Sequence, residues 1–296
     1  MATNLAACEY KAGRTLGKGS YGHVKEAIKT LNLQTIVTDH QLTVVYLVMD
    51  LCTGGELFDK ICEQGIYYEE DAAEIVNTVL EVIKYLHSHN IVHRDIKPEN
   101  LLFRNKEPNA DLMVADFGLS RIVNDDEDYM LRTTCGTPSY MAPEIYMKTG
   151  HGKPVDIWAI GVMAYFLLSG CLPFDTGNQI QDQNAIIHGQ FEFYGEVWSE
   201  VSENAKDFIK KCLLVDTSKR LTVQQALDHP WFKATKPKQD LFPSVRKGFD
   251  ARRMFRKAID VVKAVNKLSN SALNKSGDNG SNFSLLGSET DLRKDI

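Results

Sequence analysis

Four short runs of chemistry-bearing residues, in a fixed order, constrain this chain of 296 residues more than any other feature. Gly17-Lys18-Gly19-Ser20-Tyr21-Gly22-His23-Val24 comes first, then His93-Arg94-Asp95-Ile96-Lys97-Pro98-Glu99-Asn100, then Asp116-Phe117-Gly118, then Ala142-Pro143-Glu144. Each alone has a bland reading, since Asp and Gly are good turn formers and a glycine-rich hairpin can be purely structural. Independent turns would not reproduce the whole ordered set. The spacing of Gly17, Gly19 and Gly22 also lets a backbone approach phosphates without side-chain clash.

Around these runs the patterning changes character along the chain. Tyr10 to Val24 reads as strand, turn, strand, and Leu42 to Met49 as a second β-rich stretch that stops at Asp50. Thr53-Gly54-Gly55 then turns into a short helix around Glu56 to Cys62. From Glu69 to His87 the apolar residues Ala72, Ile75, Val76, Val79, Val82, Ile83 and Leu86 recur at three- and four-residue spacings, which is one amphipathic helix. Lys153 to Phe232 reads mostly as helices punctuated by Gly and Pro, and Arg246 to Lys267 as a further, basic helix. Beyond Ser269 the chain turns to Ser, Asn and Gly with little to bury, so residues 269–296 are expected to be a disordered tail.

Composition closes off several function classes. A hydrophobic fraction of 43% with 25% charged residues excludes wholesale disorder. Six scattered cysteines without a CxxC argue against a disulfide framework or zinc cluster and for a reducing, cytoplasmic compartment, with the nucleus also open. The net charge of -5 argues against nucleic acid as a partner. The longest apolar stretch, Ile157 to Leu168, is too short to span a bilayer and reads as a buried core helix, so no transmembrane segment is expected. The first residues show no secretory leader pattern.

The four runs, in this order, resemble the eukaryotic protein kinase family. The resemblance covers roughly Tyr10 to Phe232, and CGTPSYMAPE, YLVMDLCTGGELFDKI and the basic C-terminal helix look most like the calcium/calmodulin-dependent serine/threonine kinase group. It implies an α+β, protein-kinase-like two-lobe fold: a small β-rich lobe at about 10–49, a hinge at 50–52, a large helical lobe at 53–232 and an autoinhibitory, calmodulin-binding segment at 241–268. It also implies ATP and Mg²⁺ as cofactors.

Residue by residue, the resemblance makes Asp95 the group that orients the substrate hydroxyl and takes its proton, with Lys97 reaching the transferred phosphate. Asn100 and Asp116 supply hard oxygen ligands to Mg²⁺. Gly17, Gly19, Gly22 and Val24 belong to the lid over the nucleotide. Met49 stands at the back of the adenine pocket, Asp50 and Cys52 lie in the hinge, and Leu102 packs beneath the ring. Glu56 and Glu99 match positions that receive a basic residue ahead of the target Ser or Thr, and Thr137 matches the threonine that bonds Asp95 and Lys97. Asp156, Trp158 and Gly161 match residues that anchor the catalytic loop to the central helix, and Glu144 with Arg220 a buried ion pair.

The chain departs from the family in its front lobe. The family places a third strand with a lysine about 15 residues beyond the glycine motif's last valine, then a helix whose glutamate pairs with it. Only 20 residues separate Val24 from Val45. Ala27-Ile28-Lys29 imitates the lysine motif, yet Lys29 follows Val24 by five residues, too few for strand two to turn and become strand three. The stretch TLNLQTIVTDHQLT contains no glutamate. Activity of the shortened chain is therefore in doubt, and a catalytically dead regulatory or binding protein of kinase-like fold stands as the alternative.

Control elements follow by the same resemblance. Thr133 matches the threonine phosphorylated by an upstream activating kinase, with Arg94 as the expected partner of its phosphate. From Arg252 to Leu268 a helical wheel places Met254, Phe255, Ile259, Val261, Val262 and Val265 on one half and the basic residues on the other. Such a helix suits Ca²⁺-loaded calmodulin, and Phe255, Ile259, Val262 and Leu268 match a 1-5-8-14 anchor pattern. A membrane-surface helix competes. The expected substrates are proteins carrying a basic residue before Ser or Thr.

Overall fold

The computed structural model describes residues 10–19, 22–29, 49–123, 131, 133–251 and 254. Residues 30–48, across which the third strand and glutamate-bearing helix are expected to be missing, lie outside that set. So do the anchors Phe255, Ile259, Val262 and Leu268, and the tail 269–296. The chain divides into two compact units, Met1–Phe249 and Asp250–Ile296. In the second, residues 250, 251 and 254 are described, and they are helical.

The first unit opens on a hairpin, β1 (Tyr10–Gly19) and β2 (Gly22–Lys29). The two strands pair antiparallel from Gly19↔Gly22 at the turn to Tyr10↔Lys29 at the far end, so the second strand runs on past Val24 to Lys29. The helical body follows: α1 (Leu57–Gln64), α2 (Glu69–Ser88), α3 (Pro143–Met147), α4 (Pro154–Ser169), α5 (Gln179–His188), α6 (Val197–Glu200), α7 (Glu203–Cys212), α8 (Val223–Leu227) and α9 (Pro230–Lys233). The stretch TVQQALDHPWF forms two helices. Pro230 has no N–H to continue α8, the residue before a proline is driven out of the helical region, and His229 accordingly sits at ψ 140° and caps α9 through its ring.

At the centre lies α4, in which every residue from Val155 to Ser169 is buried. It is apolar all round because α2, α7 and other elements pack against it from different sides. Gly161 is required there: a Cβ at that position would stand 2.6 Å from Cβ of Cys212 at the end of α7. Gly170 ends the helix at φ 72°, in the left-handed region that glycine enters freely. No helix among the described residues is long and apolar enough to cross a membrane, as expected of Ile157–Leu168.

Two small antiparallel pairs fix the loops that matter. β4 (Leu101–Phe103) pairs with β5 (Leu112–Val114), and β3 (Ile91–Val92) pairs with β6 (Arg121–Ile122). The loop between β3 and β4 is therefore brought alongside the loop between β5 and β6, and Ala115 N donates to Asn100 O at 2.8 Å across them. At the other end of the unit, residues 242–249 are helical and bury Phe242, Val245 and Phe249. Phe249 stacks on Phe58 at 4.7 Å and meets Tyr67 and Phe166 at 5.9 and 5.5 Å, so the chain up to that residue packs as part of the body.

Candidate active site

The loop His93–Asn100 leaves β3 with two backbone N–H groups pointing the same way, and one buried carboxylate takes both. Asp156, in the first turn of α4 and fully buried, accepts from His93 N at 3.0 Å and Arg94 N at 2.8 Å. His87, near the end of α2, adds its Nε2 at 2.9 Å from the same carboxylate. Arg94 sits at φ 69°, a conformation costly for a residue with a Cβ, and these bonds hold it there. Asp156 thus anchors the loop as its motif implies. Trp158 stacks on Phe174 and carries the Arg220 guanidinium over its ring, while Gly161 admits α7.

Past Arg94 the chain presents Asp95 at the centre of a polar cluster. Its Oδ2 accepts from Lys97 Nζ at 2.7 Å and Asn100 Nδ2 at 3.3 Å. Its Oδ1 accepts from Thr137 N at 3.1 Å and Thr137 Oγ1 at 2.8 Å. Lys97 Nζ also donates to Thr137 Oγ1 at 2.7 Å, closing the ring. Burial works against the charge on Asp95, but the Lys97 ammonium and the Thr137 and Asn100 donors outweigh it and hold the carboxyl below its ordinary pKa. The result is a fixed anion at neutral pH with its lone pairs oriented by three side chains.

Asn100 also donates Nδ2 to Asp95 O at 2.8 Å, which commits its amide nitrogen and turns its oxygen to other use. Across the loop pair, Asp116 is exposed at φ 62°, with Oδ1 accepting from Gly118 N at 3.1 Å. One carboxylate and one amide oxygen on adjacent loops are the hard donors a divalent cation takes, with remaining positions left to water and phosphate oxygens. No group of three or more His, Cys, Asp or Glu among the described residues forms a cation cage by itself. The His93 and Phe117 rings lie 5.1 Å apart behind the site, and burial keeps His93 below its ordinary pKa.

The hinge residues run past the edge of β4. Thr53 N and Gly54 N donate to Arg104 O and Phe103 O, each at 3.0 Å, and Phe103 N donates back to Gly55 O. Gly54 permits this approach, because a Cβ there would lie 2.0 Å from Asn105 O. Asp50 is tied to Arg104 at 2.7 Å, and Glu56 bridges to Leu102, which brings Leu102 beside the hinge. Met49 and Leu51 are about half exposed, at 51% and 50%, and Cys52 is partly covered. Glu56 precedes α1, and α1 packs on the turn that holds Glu99, so the two acids stand on neighbouring elements.

In the hairpin, Gly17 pairs with Val24 and Gly19 with Gly22, so the glycines gather at the turn. Lys29 lies at the opposite end, seven residues from Gly22 and about 23 Å along the strand at ~3.3 Å per residue. Thr133 and Thr134 are both exposed, while Arg94 is buried with Nε donating to Leu119 O at 2.6 Å. Glu144 and Arg220 form the expected buried pair, bidentate at 2.7 and 3.0 Å.

Sequence reading missed three supports. His87 holds Asp156 from 69 positions away. Glu69, 1% exposed, takes Ser202 N and Trp231 Nε1 and so joins α2 to the starts of α7 and α9. His151 sits buried beside the activation segment. The only signal for the first two was a polar residue at the edge of an apolar stripe.

The model of the protein kinase domain matches residues 29–232, so the match begins after the turn that carries Gly17, Gly19 and Gly22. The calcium/calmodulin-dependent protein kinase cmkB of Emericella nidulans is 48% identical over 307 positions, covering 88% of this chain and 76% of that protein. The calcium/calmodulin-dependent protein kinase type I of Schizosaccharomyces pombe is 46% identical over 301 positions, covering 88% of this chain and 90% of that protein. Calcium/calmodulin-dependent protein kinase type IV of Rattus norvegicus is 45% identical over 231 positions, covering 76% and 48%.

Proposed function

The chain belongs to the protein kinase family, as a calcium/calmodulin-dependent serine/threonine kinase, and from that premise we propose how its residues divide the work of phosphoryl transfer. The observation that carries the reading is the cluster around Asp95. A substrate hydroxyl arriving at that cluster donates to the Asp95 carboxylate, which aligns the oxygen lone pair with the phosphorus and takes the proton as the new bond forms. Lys97, already 2.7 Å from Asp95, places its ammonium where negative charge builds on the transferred group. Thr137 holds both.

Asn100 and Asp116 would hold Mg²⁺, which would supply positive charge against the phosphates of ATP. Their fit rests on the Asn100 oxygen and the exposed Asp116 carboxylate described above. The hinge 50–52, with Met49 and Leu102, would take the adenine of ATP, and Glu56 and Glu99 the basic residue ahead of the target Ser or Thr. Thr133 is the site for an upstream activating kinase, with Arg94 as partner of its phosphate, and Phe255, Ile259, Val262 and Leu268 are the anchors for calmodulin. The protein works in the cytoplasm, with the nucleus also open to it.

Lys29 cannot serve as the phosphate lysine from the far end of β2, so turnover of this chain is expected to be low. The alignments point the same way: 307 positions are spanned by 88% of 296 residues, about 260, leaving roughly 45 positions of the relative with no counterpart here. The test is a phosphotransfer assay with Mg-ATP and a peptide carrying arginine three residues before serine, after treatment with an activating kinase. Turnover well under about 1 per second, the low end for kinases, and lost in Asp95→Asn, is the expected result. A rate at or above that value refutes the role given to the missing lysine, and activity that survives Asp95→Asn refutes the role given to Asp95.

A further inference from the structure

His151 takes no part in the chemistry above, and its surroundings are unusual. It is 2% exposed, and its Nε2 has no hydrogen-bond partner among the described residues. Its backbone is tied to the activation segment in both directions, Leu131 N donating to His151 O at 3.1 Å and His151 N to Leu131 O at 2.9 Å. Thr133 is two residues further along and exposed, and two residues of chain span at most about 7 Å, so its hydroxyl cannot stray far from this bridge.

The charged groups facing His151 come from three elements: Arg94 from the catalytic loop, Glu144 from α3 and Asp156 from α4. Both carboxylates are committed elsewhere, Glu144 to Arg220 and Asp156 to His87 and the loop backbone. Burial, reinforced by Arg94, keeps the imidazole below its ordinary pKa and therefore neutral near pH 7. A buried ring nitrogen without a partner among the described residues, near a buried arginine and within two residues of chain of a phosphorylatable hydroxyl, is half of an anion site.

We propose that His151 is a second ligand, beside Arg94, for the phosphoryl group that an upstream kinase transfers from ATP to Thr133. The inference rests on the reading of Thr133 as the modified residue. In that transfer the Thr133 oxygen gains the phosphorus, ADP leaves and the hydroxyl proton is released. The new group carries about two negative charges, which favours protonation of the imidazole and makes its donor a charge-assisted one. Because Leu131 already holds the His151 backbone, the contact also fastens the activation segment at the same point.

The experiment uses the full chain and its His151→Phe variant, which fills the space without a ring nitrogen. Both are phosphorylated by an activating kinase, the site is located by mass spectrometry, and the phosphothreonine is followed by ³¹P NMR from about pH 4 to 8 and by its rate of removal by a phosphatase. In the parent the second ionisation should lie well below the ordinary value near 6. In His151→Phe it should rise by about half a unit or more, with phosphate lost several-fold faster. If melting shows that His151→Phe does not fold, His151→Gln replaces it, with the same two readouts expected to move in the same directions. Identical titration and removal in parent and variant overturn the role of His151 alone. Phosphate found elsewhere than Thr133 overturns the reading of Thr133 and this inference with it.

Discussion

Asp156→Asn keeps the shape of the side chain and removes one charge, and its cost can be worked from three bonds. In the parent, Oδ2 receives His87 Nε2 at 2.9 Å and His93 N at 3.0 Å, while Oδ1 receives Arg94 N at 2.8 Å. An amide has one oxygen. Placed at Oδ2 it keeps two bonds and turns an NH₂ group toward the Arg94 N–H; placed at Oδ1 it keeps one and opposes two donors. The first arrangement is cheaper, and it orphans a buried N–H, which costs about 1–3 kcal/mol. The two surviving bonds also lose their charge assistance, roughly half their strength.

A total near 3 kcal/mol is expected, of which the catalytic loop bears most. The orphaned N–H belongs to Arg94, whose φ of 69° is held against its own preference, so the loop has both the freedom and the incentive to relax. Asp95 is the next residue, so its cluster with Lys97 and Thr137 moves with it. Urea unfolding gives the stability change, and hydrogen exchange resolved to the peptide 90–97 gives the loop. The expected outcome is a loss of about 3 kcal/mol with exchange faster in that peptide than across α7, a helix that Asp156 does not bond. Stability within 1 kcal/mol of the parent, or loop exchange unchanged, would refute the view that this carboxylate positions the catalytic loop.

Other outcomes follow from other contacts. Glu144→Gln leaves the Arg220 charge buried at 0% side-chain exposure and should cost about 3–5 kcal/mol, a fall of roughly 6–20 °C in Tm for a body of this size; a loss below 1 kcal/mol in calorimetry would remove the pair as a brace. His93, His151 and His229 are all held below their ordinary pKa, chiefly by burial, so the unfolded chain binds protons that the folded one refuses. Stability is then full above about pH 6.5 and falls below it by up to about 1.4 kcal/mol per pH unit for each histidine; urea midpoints that stay flat from pH 7 to 5 would contradict this. A peptide spanning 245–270 should bind calmodulin with calcium and not in chelator, and Phe255→Asp should weaken it about 100-fold by placing a charge at an apolar anchor. Equal fluorescence titrations with and without calcium would leave the segment as a surface helix.

The sequence by itself determined the order of the motifs, the period of α2, the apolar run that became α4 and the identity of the polar groups at the site. Those features are local: a glycine, a proline or a 3.6-residue stripe acts on its own neighbours, so reading along the chain finds it. It also put Lys29 in the wrong strand for its motif, and the pairing of Tyr10 with Lys29 agrees with that placement. What the sequence could not supply is who holds whom. Asp95 meets Thr137 across 42 positions, Arg94 meets Asp156 across 62, and Glu69 meets Trp231 across 162. Nothing local distinguishes the Asp156 that anchors a loop from an aspartate that merely begins a helix, or marks His151 as a ring nitrogen without a partner among the described residues. Those distinctions arise when elements cross and water leaves, because only then does an unpaired polar atom become costly and its partner decisive.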